Sequence, residues 1–114
     1  MQRDQINAFC CALPATTHVV QWAAADVWKI GGKVFAIVSN DGVSFKTSDL
    51  LFEVLGQEEG IRPAPYLASR GFKWLQHYGP PGGLSDAELG QAIEASYAMI
   101  RDALPRKKRT ELRI

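Results

Sequence analysis

Residues 17–47 alternate short β-rich runs with residues that turn a backbone sharply, a pattern no helix accommodates. The runs are Val19, Val20 and Trp22, then Val27, Trp28 and Ile30, then residues 34–38, then Val43, Ser44 and Phe45. Branched and aromatic side chains at period two suit a pleated surface with one face buried. Gly31-Gly32 and Asn40-Asp41-Gly42 separate three of these runs. Positive φ costs glycine little and Asn or Asp less than most residues, so both are hairpin turns. An antiparallel meander is the expected centre of the fold.

Helical signals flank it. Asp4 is placed to cap a helix in which Ile6, Phe9, Cys10 and Leu13 share a face, and Pro14 ends it. Thr47 or Ser48 can cap a second helix, with Leu51, Val54 and Leu55 on one face and Gly56 as a left-handed stop. Residues 57–65 read as a polar connection, and residues 66–68 and 72–78 as two further strands around Ser69-Arg70-Gly71. The run Gly79-Pro80-Pro81-Gly82-Gly83 continues neither strand nor helix. Ser85 and Glu88 then form a capping box, with Leu84 and Leu89 at the staple positions. Leu89, Ile93, Tyr97, Ile100 and Leu104 recur at spacings of four or three before Pro105. The class is therefore α+β, a two-layer sandwich with an antiparallel sheet covered by helices. At 114 residues there is material for one core, expected over residues 1–105, with 106–114 as a basic, flexible tail.

Several function classes drop away. No apolar run approaches the roughly 20 residues of a membrane helix, and the first residues lack the basic start and apolar stretch of a signal peptide, so no membrane role is expected and the cytoplasm is the default. Adjacent Cys10 and Cys11 point in different directions on a helix and cannot form an ordinary disulfide. Cys10, on the apolar face, reads as a small hydrophobe, which weighs against a nucleophile pair with His18. His18 and His77 have no nearby ligand pattern, so they read as edge or surface histidines and no metal is expected. Gly31-Gly32-Lys33 lacks the spacing of a phosphate loop. With no paired carboxylates, nucleophile motif or cofactor fingerprint, a non-enzymatic domain without cofactor is expected.

Three segments together resemble the MmcQ/YjbR family of small bacterial domains. They are residues 27–36 (Val-Trp-Lys-Ile-Gly-Gly-Lys-Val-Phe-Ala), then Pro65-Tyr66-Leu67-Ala68 with Phe72-Lys73-Trp74-Leu75, then Ser96-Tyr97 leading to Leu104-Pro105-Arg106-Lys107-Lys108-Arg109. The middle helix departs from the more polar, proline-containing family version. The resemblance implies a fold similar to secretion chaperones, in the order α-β(3)-α-β(2)-α, and carries a DNA-binding label. Fold similarity alone does not assign a function.

The residues themselves offer two places where DNA could bind. Arg106, Lys107, Lys108 and Arg109 cluster after the last helix, and clustered cations release counterions from a phosphate backbone. Before residue 106 the chain carries 8 Lys or Arg against 11 Asp or Glu, and from 106 onward 5 against 1. The plainer account is a solvated charge run that complements the negative end of the last helix. Arg70, Lys73 and Trp74, with Phe72, mix cations with rings able to stack on bases. A core pair of Phe72 and Trp74 with a solvent lysine explains the same residues and is preferred. Tyr66 and Tyr97 likewise read as core aromatics. Two partners follow as alternatives: DNA held through weakly selective backbone contacts, or a protein met through an apolar sheet face around Trp22, Trp28 and residues 35–38, including a second copy.

Overall fold

The computed structural model, which describes residues 1–65 and 67–114, places six strands in one sheet of order β1-β2-β3-β4-β6-β5. Helix α1 (Arg3–Ala12) precedes β1 (Thr16–Gln21), β2 (Ala25–Ile30), β3 (Lys33–Ser39) and β4 (Gly42–Lys46). Helix α2 (Asp49–Leu55) leads to β5 (Ile61–Pro63), a 3₁₀ turn over Ala68–Arg70 and β6 (Trp74–His77). Helices α3 (Asp86–Asp102) and α4 (Arg106–Leu112) follow. All pairings are antiparallel, and β6 returns to insert between β4 and the edge strand β5. The expected α+β class and meander hold, with four strands in the meander and a helix added at the end.

The turns work as their residues require. Gly31 and Gly32 join Ile30 to Lys33 with φ of 59° and 82°, the left-handed pair that matches the twist of a hairpin. A Cβ on Gly31 would sit 2.6 Å from Leu104 Cδ1, so the Leu104 side chain would have to shift to admit one. The β1–β2 connection has no glycine: Trp22, Ala23 and Ala24 take φ of 48°, 61° and 67°.

Two rows of paired residues define the faces. His18, Trp28, Ala36, Phe45, Leu75 and Pro63 lie side by side on one face, and Val19, Val27, Ile37, Ser44, Gln76 and Arg62 on the other. A bulge after Trp28 leaves Phe35 as an extra residue, so Phe35 and Ala36 are both fully buried. The first face carries the helices. Ile6 and Cys10 of α1 and Leu89, Ile93 and Tyr97 of α3 close the core over Phe35, Val38, Val43, Phe45 and Leu75. Tyr97 meets the Phe35 ring edge-on at 5.3 Å and donates its hydroxyl to the Pro14 carbonyl. Ser96, wholly buried, donates to the Phe35 carbonyl and accepts from the Lys46 N–H, which pins α3 to β3 and β4.

Several expectations are corrected. α1 is capped by Gln2 and Gln5 in a reciprocal box, and Asp4 lies in the first turn. α2 turns Phe52 and Leu55 inward, leaving Leu51 and Val54 exposed, and Gly56 stays right-handed with φ of −64°. β5 lies inside the stretch read as a connection. Of the strand expected over residues 66–68, Tyr66 lies outside the described residues, and Ala68 opens the 3₁₀ turn. The tail is not a flexible coil: α4 is a helix, and its Leu112, with Ile114 beyond, packs on the core cluster.

Candidate nucleic-acid interface

In an antiparallel sheet the end of one strand and the start of the next share an edge. Here one end of the sheet collects the close of β2, the start of β3, the close of β4 and the start of β6. That end brings together Lys33, Lys46, Lys73 and, on the 3₁₀ turn, Arg70. α3 delivers its C-terminus there too, since Leu104 packs on Gly31, and α4 begins immediately beyond. Arg106, Lys107 and Lys108 are exposed in the first turn of α4, which contains no acid. Arg109 is half-buried, and its Nε has no hydrogen-bond partner among the described residues.

The other end is acidic. The β3–β4 turn carries Asp41, the approach to β5 carries Glu58 and Glu59, and the first turn of α3 carries Asp86 and Glu88. Acids are not confined to that end, since Asp49 opens α2 just beyond β4 and Asp102 closes α3, and Arg3 lies beside Asn40 at the far end.

The two groups of sequence-identified cations therefore lie at one end of the molecule. Arg70 is exposed, and Lys73 lies over the Phe52 ring, its Nζ 4.8 Å from the centroid. Trp74 is only 8% exposed, so its ring is not free to stack on a base, while Phe72 is 53% exposed. The expected Phe72–Trp74 core pair is split because β6 begins at Trp74 and leaves Phe72 in the preceding turn.

Two polar clusters were not read from the sequence. Asp26 accepts from Arg3 at 3.0 Å and Asn7 at 2.9 Å and meets His18 Nε2 at 2.8 Å, and Asn7 in turn accepts from Trp28 Nε1. Partial burial pushes the Asp26 carboxyl upward, but the hydrogen bonds from His18, Asn7 and Arg3, with the Arg3 charge, outweigh it and hold the group below its ordinary range. His77 is buried, against the expectation of a surface position, because β6 lies between two strands and its Nε2 accepts the Leu84 N–H at 2.9 Å. Burial, and then the amino-terminal charge, hold its pKa below the ordinary 6.5 against the upward pull of backbone contacts with Leu84 and itself. A cleft of about 650 Å³ opens beside it, at the acidic end, between Arg3, Asn40, Tyr78, Pro80 and Asp86. With Nε2 already committed to Leu84, the imidazole presents no free base on that nitrogen.

Burial lifts the Cys10 thiol to about 12, with the neighbouring Cys11 adding to the rise, which suits an inert core residue. Among the described residues no group of His, Cys, Asp and Glu is arranged to hold a metal, and no helix is long and apolar enough to cross a membrane. A family model described as YjbR matches residues 11–99. No curated protein matches the chain.

Proposed function

The chain belongs to the YjbR family, and from that footing we propose that it is a non-enzymatic, cytoplasmic domain that holds DNA by its phosphate backbone at the basic end. The observation that carries this reading is the meeting of Lys33, Lys46, Arg70 and Lys73 with Arg106, Lys107 and Lys108 at one end of the sheet. Clustered cations neutralise phosphates and release counterions, which gives affinity without choice of sequence. With Trp74 buried, Phe72 is the ring of this segment left exposed, and stacking on it would be sequence-tolerant, in keeping with weak selectivity.

Fluorescence anisotropy with labelled duplex and single-stranded DNA, at two salt concentrations, tests the reading. The variant is the triple exchange Arg106→Gln, Lys107→Gln, Lys108→Gln. Truncation at Pro105 is the wrong control, because it also removes Leu112 and Ile114 from the core. Binding by the intact protein that both salt and the triple exchange weaken is expected. No binding at low salt sinks the reading.

A second reading, a protein-interaction module, has its own observation. Leu50 is 72% exposed, Val54 52% and Leu51 44%, all on α2. Apolar residues gathered on a surface mark partner contacts. Loss of a co-purifying protein on Leu50→Ser with Val54→Ser would favour it.

A further inference from the structure

The exposed Phe72 ring stands on a turn that the backbone ties down. The Arg70 and Phe72 amides both donate to the Leu67 carbonyl, each at 3.1 Å. Gly71 between them takes a φ of 86° and donates to the Ala68 carbonyl at 3.0 Å. Two donors on one carbonyl hold Arg70 and Phe72 side by side, with both side chains exposed. On the other side of Phe72, the Lys73 carbonyl accepts from the Thr47 N–H at 2.9 Å, and Lys46 pairs with Trp74. The close of β4 therefore runs alongside the turn and brings Lys46 with it. Among the described residues, Asp26 is the only acid in the six strands, and it is turned to Arg3 and Asn7 of α1. The sheet face away from the helices thus continues from Lys46 to Arg62 and Lys29 without a carboxylate. Asp49, two residues past Thr47 at the start of α2, opposes these cations.

We propose that Phe72 stacks on an unpaired base, so that single-stranded DNA, and not duplex, is the ligand this end of the molecule prefers. The inference rests on the reading of the basic end as a DNA contact and names the form of DNA it takes. Inside a duplex both faces of every base are covered by neighbours, which leaves Phe72 only phosphates and groove edges to meet. An unpaired strand can turn a base face to the ring while its phosphates lie against Arg70 and Lys46, the combination of cations and aromatic ring that holds single strands. Every base has such a face, so the contact asks for no sequence. Cations by themselves favour the duplex, whose greater charge density releases more counterions for each phosphate neutralised. A preference for the single strand is therefore the mark of the ring and not of the charge.

Fluorescence anisotropy of the full chain with three labelled ligands of one length tests this directly: a mixed-sequence single strand, an abasic single strand and a blunt duplex. The mixed-sequence strand is expected to bind tightest. Phe72→Ala should weaken it roughly fivefold to a hundredfold, the range for one stacked base, and should leave the abasic strand, the duplex and the salt slope unchanged, because no charge is lost. Phe72→Tyr, which keeps a ring, should restore binding. Phe72→Trp gives a readout that does not depend on the loss of a side chain: its emission should be quenched by the mixed-sequence strand and not by the abasic one. Tighter binding of the duplex overturns the inference and leaves the backbone contact standing, as does a Phe72→Ala variant that holds the single strand as well as the intact protein. Equal weakening of duplex and single strand by Phe72→Ala overturns it as well, since the ring would then act as a wedge between paired steps. Failure of all three ligands to bind at low salt removes the DNA reading itself, and this inference with it.

Discussion

Asp26 ties three segments together through one carboxylate, joining Arg3 and Asn7 of α1 to His18 of β1 from its own place on β2. The carboxylate is 15% exposed, so the partners it would abandon are poorly placed to find water instead. Asp26→Ala should cost about 1–3 kcal/mol in urea unfolding, the penalty of leaving polar groups unpaired, and Asp26→Asn less, because the amide still accepts. His77 makes a pH dependence. Its folded pKa lies below the ordinary 6.5, so the unfolded chain binds the proton more readily. The stability tied to a neutral His77 is therefore complete above the unfolded value and is lost as pH falls from there through the folded pKa. Protonation also turns Nε2 into a donor facing the Leu84 N–H. Urea midpoints between pH 8 and pH 5 should decline, and His77→Gln, which keeps an acceptor but does not titrate, should flatten the decline in that window. An unchanged slope in the variant would assign the decline to other groups. Neither residue was legible as a site in the sequence: Asp26 acts through register partners and a helix some twenty residues away, and His77 is buried only because β5 pairs outside it.

Elements whose signals are local were legible, and those defined by their neighbours were not. The capping box of α3 is present as read, with Ser85 accepting from the Glu88 N–H and the Glu88 side chain accepting from the Ser85 N–H. The Gly31-Gly32 hairpin also follows from its own two residues. α2 shows the contrary case. Its seven residues carry Leu50, Leu51, Phe52, Val54 and Leu55, so apolar periodicity names no unique inner face, and docking against Leu75 and the core selects Phe52 and Leu55. β5 is three residues long and is a strand only because β6 lies beside it. α4 escaped because its first turn is all cation, which resembles a solvated tail. What holds it is Leu112 and the following Ile114 on the core, not its own propensity. Leu112→Ala should accordingly cost about 1 kcal/mol, near half the worth of a fully buried leucine, and should reduce far-ultraviolet helical signal before the rest of the chain unfolds. A variant with unchanged signal and stability would show that α4 is held by something other than this packing.

At the scale of the whole molecule the formal charge of +1 conceals the property that matters, the gathering of exposed cations at one end of the sheet. Exposed charges separated by more than roughly 8–10 Å are largely screened at physiological salt. The two ends therefore act on a ligand almost independently, which distinguishes a local phosphate contact from a general effect of net charge. In the anisotropy titrations, plotting log affinity against log salt gives a slope of about −0.9 for every phosphate neutralised on duplex DNA. Exchange of Arg106, Lys107 and Lys108 to Gln should make that slope shallower by up to about 0.9 for each contact removed. The far-end pair Glu58→Gln with Glu59→Gln raises the net charge by two, yet lies beside β5 at the acidic end, away from the contact. It should leave the slope where it was and move affinity little at physiological salt. A far-end exchange that strengthens binding as much as the α4 exchange weakens it would mean that the chain responds to DNA as an unpatterned charge, and that the basic end is no interface.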